Sequence, residues 1–331
     1  MRKTMGRILH VSKNGDGDYR RLEDALRAIP EGNQEAVTIY LQEGIYREKL
    51  VIDKPYITLL GDGADKTIIT YDDYALMLMP DGKKRGTFRT QTVLINTHDF
   101  TAKSITFENS AGSGRKVGQA IALYVDGDRN SFYDCRILGY QDTLFTGPLP
   151  PNPFLPDGFT GPLEYAPRIN GRQYYHRCYI CGNIDYIFGS ATAYFESCEL
   201  HTRIDYDRSP TTDSSQRNIY GYITAASTAE GQEYGYVFNR CLLTGNCPTN
   251  SVYLGRPWRN YAKTVFLECE LGEHIKVDGW HDWDKPEARD TCYYAEYRNY
   301  GPGAKPMERA PFVKQLTKEE SLNFQKDHVL W

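Results

Sequence analysis

Two aspartates of this chain share an unusual placement. Asp142, in Gly139-Tyr-Gln-Asp142-Thr-Leu144, lies seven residues beyond Cys135, and Asp185, in Asn183-Ile-Asp185-Tyr-Ile-Phe-Gly189, lies seven beyond Cys178. A single loop aspartate is best read as a turn cap. Two at one register, flanked by apolar residues, point instead to a carboxylate pair. Carboxylates held side by side cannot both ionise freely, so their pKa values are driven apart. One can then act as an acid while the other stays an anion. Tyr253-Leu-Gly-Arg256-Pro-Trp258 adds a guanidinium, which favours the charged form of a neighbouring carboxylate, and an indole suited to stacking on a sugar. Gln119 opens Gln119-Ala-Ile-Ala-Leu123, where a side-chain amide precedes an apolar run. That amide could donate to an oxyanion or simply bond a strand end.

A repeat is what must bring these residues together. Aromatic, two residues, Cys, one residue, Ile or Leu recurs five times, at Phe132–Ile137, Tyr175–Ile180, Phe195–Leu200, Phe238–Leu243 and Phe266–Leu271. Successive cysteines are 43, 20, 43 and 28 residues apart. Twenty residues fit one coil of a solenoid, and 43 fit two coils or one coil with an insertion. Each coil buries one face only, so neighbours stack to close a common core, with strands about 4.8 Å apart. Equivalent Phe and Cys positions then form internal ladders, and the cysteines are small buried hydrophobes. Asp142 and Asp185 should face each other across one rung.

Other segments support that reading. Leu22, Ala25, Leu26 and Ile29 recur at helical spacing, and Pro30 with Gly32 ends the run. The runs Val37–Leu41, Tyr56–Leu60, Thr67–Tyr71, Thr92–Ile95, Ser104–Phe107 and Ala120–Val125 are β-rich and separated by turn residues. A β-sandwich would not predict the copied motif. No linker divides the chain, so residues 1–331 read as a single domain. Residues 146–170 interrupt it. Six prolines between Thr146 and Leu163 forbid a paired strand, so this stretch is either an excursion that shapes a binding face or a disordered surface insert.

Composition narrows the function. A net charge of −4, from 39 basic and 43 acidic residues without long runs, argues against nucleic-acid binding. No apolar run approaches the length of a membrane span, so no membrane partner is expected. The 26 tyrosines, 13 phenylalanines and four tryptophans suit β architecture and sugar contacts. The lone Cys178-x-x-Cys181 has no matching pair for a zinc site. Residues 1–10 lack an apolar signal segment, which reads as a cytoplasmic protein or a secreted one whose signal has been removed.

Taken together, Gly44-Ile-Tyr-Arg-Glu48, Gln119–Leu123, Tyr140-Gln-Asp-Thr-Leu144, Asp185-Tyr-Ile-Phe-Gly189 and Leu254-Gly-Arg-Pro-Trp258 resemble the pectin methylesterase family, carbohydrate esterase family 8, along nearly the whole chain. The resemblance implies an all-β, right-handed parallel β-helix with a short N-terminal helix and long loops around a cleft. It implies hydrolysis of galacturonate C6 methyl esters in pectin or methylated oligogalacturonides, with methanol released, by a monomer without metal or other cofactor. Asp185 is then similar to the family nucleophile and Asp142 to its acid and base. Gln119 and Gln141 correspond to the oxyanion amides, and Arg256 to the arginine that holds the nucleophile. Thr87, Tyr140, Phe188 and Trp258 correspond to substrate-binding positions. Cys178 and Cys198 stand where some members form a disulfide.

Departures from the family pattern are Tyr186 and Ser190, where Phe and Asn are usual, Tyr124 in place of an arginine, and the 146–170 insert. Three alternatives stand beside this expectation. They are a polygalacturonate hydrolase or lyase on the same fold, an acyl thioesterase, and a non-catalytic carbohydrate-binding β-helix. A hydrolase would also need paired carboxylates, and a lyase an acidic calcium cluster that the sequence does not display. Retention of Phe188 and Trp258 argues against the thioesterase, and an intact set of site residues against the binding module.

Overall fold

In the computed structural model, which describes residues 6–206 and 218–331, the chain winds into a solenoid of three parallel sheets with eleven, eight and seven strands. One coil shows the pattern. Asn130–Tyr133 lies in the first sheet, Arg136–Leu138 in the second and Leu144–Thr146 in the third. The next coil repeats it with Arg172–His176, Tyr179–Gly182 and Ile184–Gly189. The register pairs Phe132 with Tyr175, Ile137 with Ile180 and Leu144 with Ile187. The Cys motif therefore spans the corner between the first and second sheets. First-sheet strands of the five motifs follow one another without a gap, so each 43-residue interval is one coil plus an insertion.

The corner has a backbone cause. Asp134, Arg177, Ser197, Arg240 and Glu268, each just before a repeat cysteine, have φ between 49° and 53°. That left-handed step turns the chain from one sheet to the next and points the cysteine inward. Inside, Phe132, Tyr175, Phe195, Phe238 and Phe266 stack with centroids 4.5–4.8 Å apart and planes within 14°. All five rings are fully buried, each worth roughly 1.5–3 kcal/mol of transfer energy. The five ladder cysteines are free buried thiols, Cys178 and Cys198 included. Cys198 Sγ accepts a bond from the Cys178 amide at 3.4 Å.

A solenoid needs its open ends covered. Helix Leu22–Arg27 covers one, burying Leu22, Ala25 and Leu26 beneath the coils, with Ile29 alongside. The Glu48 carboxylate accepts from the amides of Leu22 and Glu23 at 3.0 and 2.9 Å, satisfying two donors at the helix start. Among the described residues no helix is long and apolar enough to cross a membrane.

Candidate active site

The site lies on the third sheet. Extending the register of Leu144 with Ile187 and Phe145 with Phe188 sets Asp142 opposite Asp185 on neighbouring coils. The Asp142 amide donates to the Ile184 carbonyl at 3.0 Å, which locks the two turns together. Both aspartates adopt left-handed backbone, with φ of 61° and 50°. Asp tolerates that conformation better than most residues, though at some cost in strain. Asp185 sits in a β-bulge, because the strand Ile184–Gly189 has one more residue than Gly221–Ala226 between paired positions. Bulges re-aim side chains. Here Asp185 turns toward the cleft while Tyr186 turns into the core, its hydroxyl 3.2 Å from Thr202 Oγ1. Gly189 ends the strand at φ 126°, where an added Cβ would lie 2.1 Å from the Thr146 carbonyl oxygen, so only glycine fits.

Arg256 reaches Asp185 from the strand Val252–Pro257, two strands along the third sheet. Its Nε and Nη2 donate to the two carboxylate oxygens at 2.8 and 2.7 Å, a bidentate pair. The guanidinium itself is sandwiched, 3.8 Å from the ring centres of both Tyr222 and Trp283. Burial opposes its charge, and the Asp185 carboxylate outweighs burial, so Arg256 is held cationic. Asp142 and Asp185 are only 8% and 7% exposed. Burial, and then the charge of Asp185, push the Asp142 carboxyl well above the usual carboxylate range, with Arg256 offsetting only part. The two carboxylates are thus treated unequally: Asp185 is bound by Arg256, and Asp142 is pushed toward its protonated form.

Thr87, Gln119, Gln141, Asp142, Asp185, Phe188, Arg256 and Trp258 all line one cleft of about 320 Å³. Gln119 and Gln141 come from adjacent coils, and the Ala120 amide donates to the Gln141 carbonyl at 3.1 Å. Their side-chain amides have no hydrogen-bond partner among the described residues, so both are available to a ligand. Thr87 begins a short 3₁₀ turn pinned to the sheet through Thr90, whose hydroxyl donates to the Thr87 carbonyl and accepts from the Ile121 amide. Tyr140 does not join the cleft. Its hydroxyl accepts from Arg203 Nη2 at 2.8 Å and its ring lies 3.7 Å from that guanidinium, on the other side of the turn. The next two residues of the turn, Gln141 and Asp142, line the cleft without it.

Sequence reasoning missed Tyr222 and Trp283, together with Phe88, Phe159 and Arg259 at the cleft wall. Tyr222 was within reach, since it lies in a strand between those of Asp185 and Arg256. Trp283 sits in a loop outside the repeat, where register gives no guide. Two departures noted above have local partners here. Ser190 Oγ donates to the Ser227 carbonyl at 3.0 Å, as Tyr186 meets Thr202. His281, Asp282 and Asp284 are close enough together to hold a metal ion, but they lie outside the cleft lining and Arg289 donates to Asp282 at 2.7 Å.

Comparison with known proteins adds the context. The family model described as Pectinesterase matches residues 8–148 and 165–330. The chain is 37% identical over 326 residues to Pectinesterase 31 of Arabidopsis thaliana, covering 96% of this chain and 90% of that protein. It is 36% identical over 321 residues to Pectinesterase QRT1 of the same plant, covering 95% and 74%. Among solved structures, pectin methylesterase from carrot superposes with a TM-score of 0.79 at 31% identity, covering 100% of this chain and 95% of that one. A pectin methylesterase solved in complex with a hexasaccharide superposes at 0.77 with 29% identity, over 97% and 96%. These neighbours share the right-handed parallel β-helix. With a family model spanning most of its length and relatives this similar over nearly all of it, the chain belongs to the pectinesterase family of carboxylic ester hydrolases.

Proposed function

We propose that this protein hydrolyses the C6 methyl esters of galacturonate units in pectin or its oligomers, releasing methanol, through an Asp185 nucleophile and an Asp142 acid and base. The observation that carries the reading is the unequal treatment of two facing carboxylates. Arg256 binds both oxygens of Asp185, whereas Asp142 is buried and its carboxyl is pushed toward the protonated form by burial and the Asp185 charge. The similarity to a methylesterase solved with a bound hexasaccharide supports an oligogalacturonide in the cleft.

In the first step an Asp185 oxygen bonds to the ester carbonyl carbon, and the π pair moves onto the carbonyl oxygen. The free amides of Gln119 and Gln141 stabilise that oxyanion. Collapse breaks the bond to the methoxy oxygen, which takes the Asp142 proton and leaves as methanol. An anhydride between Asp185 and the sugar remains. Asp142, now a carboxylate, removes a proton from water as the water oxygen attacks the same carbon. Collapse then returns the Asp185 carboxylate, frees the galacturonate acid and leaves Asp142 protonated. A carboxylate is a weak nucleophile toward esters, so the oxyanion donors and the fixed orientation of Asp185 supply much of the acceleration. Phe188 and Trp258 provide apolar surface for the pyranose, and Thr87 a hydroxyl for its polar edge.

Methanol release from highly methylated galacturonan tests the proposal, with Asp185→Ala as control. The expected result is methanol from the wild type and none from the variant, without new reducing ends or unsaturated uronide. Full activity of the variant, or chain cleavage by the wild type, would overturn it.

A further inference from the structure

The cleft is one arm of a longer groove. A second cavity of about 260 Å³, lined by Asn183, Ile184, Gly221 and Tyr222, shares Gln141 and Arg256 with it. The residues of the second cavity stand at the N-terminal ends of the third-sheet strands. Phe188, Ala225 and Trp258 stand toward the C-terminal ends. The groove therefore runs along the strands, across the solenoid, with the aspartate pair between its arms.

The proline-rich insert lines the arm that holds Trp258. Pro153, Phe154, Leu155 and Phe159 contribute to its wall. This wall is fixed at both sides. At one side Phe159 packs on Phe88 and Trp258 with centroids 5.6 and 6.2 Å away. Gly161 passes so close to Phe88 that a Cβ would meet its carbonyl oxygen at 2.4 Å. At the other side Arg259 donates to the Asn152 carbonyl at 2.8 Å and lies 3.6 Å from the Phe154 ring centre. Arg168 ties the segment to itself through the carbonyls of Pro150, Leu163, Glu164 and Ala166. Phe154 and Leu155 line the same cavity yet remain 64% and 72% exposed. Most of this wall, residues 149–164, is the stretch that the family model does not match.

Resting on the methylesterase reading, we infer that residues 149–164 set the chain length on which the enzyme acts, by closing one arm of the groove so that a chain end, rather than a continuing polymer, occupies it. One feature of this end fits a terminal uronate. Arg259 lines it with no carboxylate partner among the described residues, its guanidinium 3.6 Å from the Phe154 ring centre and 4.8 Å from that of Trp258. A continuing polysaccharide would have to displace an anchored wall. The substrate class is therefore a short, partly methylated oligogalacturonide, de-esterified at a fixed distance from one end.

The test follows methyl esters by mass spectrometry in end-labelled hexamers that are methylated at every unit except the two terminal ones, and compares kcat/KM on these with polymeric methylated pectin. The wild type should remove esters first at one position counted from one end and should favour the hexamer. Replacing residues 150–163 by a short Gly-Ser link should raise the polymer-to-hexamer ratio on the order of tenfold and erase the positional order. Because Phe159 and Leu163 are buried, the exposed pair Phe154→Ala/Leu155→Ala serves if that variant does not fold, with a shift of the same sign. Equal activity of the wild type on both substrates with random ester loss would overturn the inference while leaving the esterase intact. No methanol from either substrate would instead sink the function on which it rests.

Discussion

Arg256 closes on Asp185 with two hydrogen bonds of 2.8 and 2.7 Å, and Asp142, one coil away, receives neither. Both members of the ion pair are nearly out of solvent, at 16% and 9% side-chain exposure. Removing one partner of such a pair strands the other, a loss of about 3–5 kcal/mol. Arg256→Leu should therefore lower unfolding stability by that order in urea titration. The double variant Asp185→Leu/Arg256→Leu should recover much of the loss, because no buried charge is left alone. Arg256→Lys should not rescue activity, since a single ammonium cannot span both oxygens. Equal destabilisation of the single and double variants would mean that packing, rather than charge, is what the arginine supplies.

Asp142 makes a second prediction through pH. Its carboxyl binds a proton more tightly in the folded protein than in the unfolded chain, because burial and Asp185 disfavour its anion. The native state therefore holds the extra proton over the interval between the ordinary carboxylate range and the raised folded value. In that interval stability falls as pH rises. Asp142→Asn removes this loss. Its midpoint of thermal unfolding, relative to wild type, should be near zero below the ordinary carboxylate range and increasingly positive as pH rises above that range. The same variant should lose on the order of 10²–10⁴-fold in methanol release, having no proton to give. A difference in midpoint that stays flat with pH would contradict the raised carboxyl.

The two glutamines test the oxyanion. Neither side-chain amide has an intramolecular partner among the described residues, and both line the cleft beside the aspartates. Gln119→Ala and Gln141→Ala should each reduce kcat on the order of 10²–10³-fold with little change in KM. Thermal stability should hardly move, since no hydrogen bond within the protein is lost. If KM rises while kcat is kept, the amides bind the ground-state sugar and the oxyanion donors lie elsewhere.

Much of this geometry was legible because a solenoid turns sequence period into space. The five Cys motifs gave the coil, and the shared offset of seven residues set Asp142 opposite Asp185. Arg256 was legible as a cation in a short motif, and its role beside Asp185 came from the family resemblance rather than from register. What period could not supply was the direction of a side chain in a turn. Of the consecutive residues Tyr140, Gln141 and Asp142, the last two line the cleft and the first does not, and nothing in the motif says so. The bulge at Asp185 was equally silent in sequence, because its extra residue shows only against the partner strand. Loops obey no register at all. Trp283 and the packing of the proline-rich insert are decided by contacts far along the chain, with Arg256, Phe88 and Arg259.

Trp283 carries the last prediction. With Tyr222 it sandwiches the Arg256 guanidinium at 3.8 Å on each face. The Trp283 backbone is held in turn by its amide bond to His281 Nδ1 at 2.8 Å. Stacking on both faces restrains the plane of the guanidinium and so the angle at which Asp185 is presented. A desolvated cation–π contact contributes about 1–2 kcal/mol, which is roughly 5–30-fold in rate if expressed in the transition state. Trp283→Ala should lower kcat by that factor, and Trp283→Phe should restore most of it, because a phenyl face still covers the cation. The indole also lines the cleft, so it could instead serve only as a platform for the sugar. The two roles separate in the kinetics. A platform alone would raise KM and spare kcat, whereas a misdirected nucleophile lowers kcat even at saturating substrate.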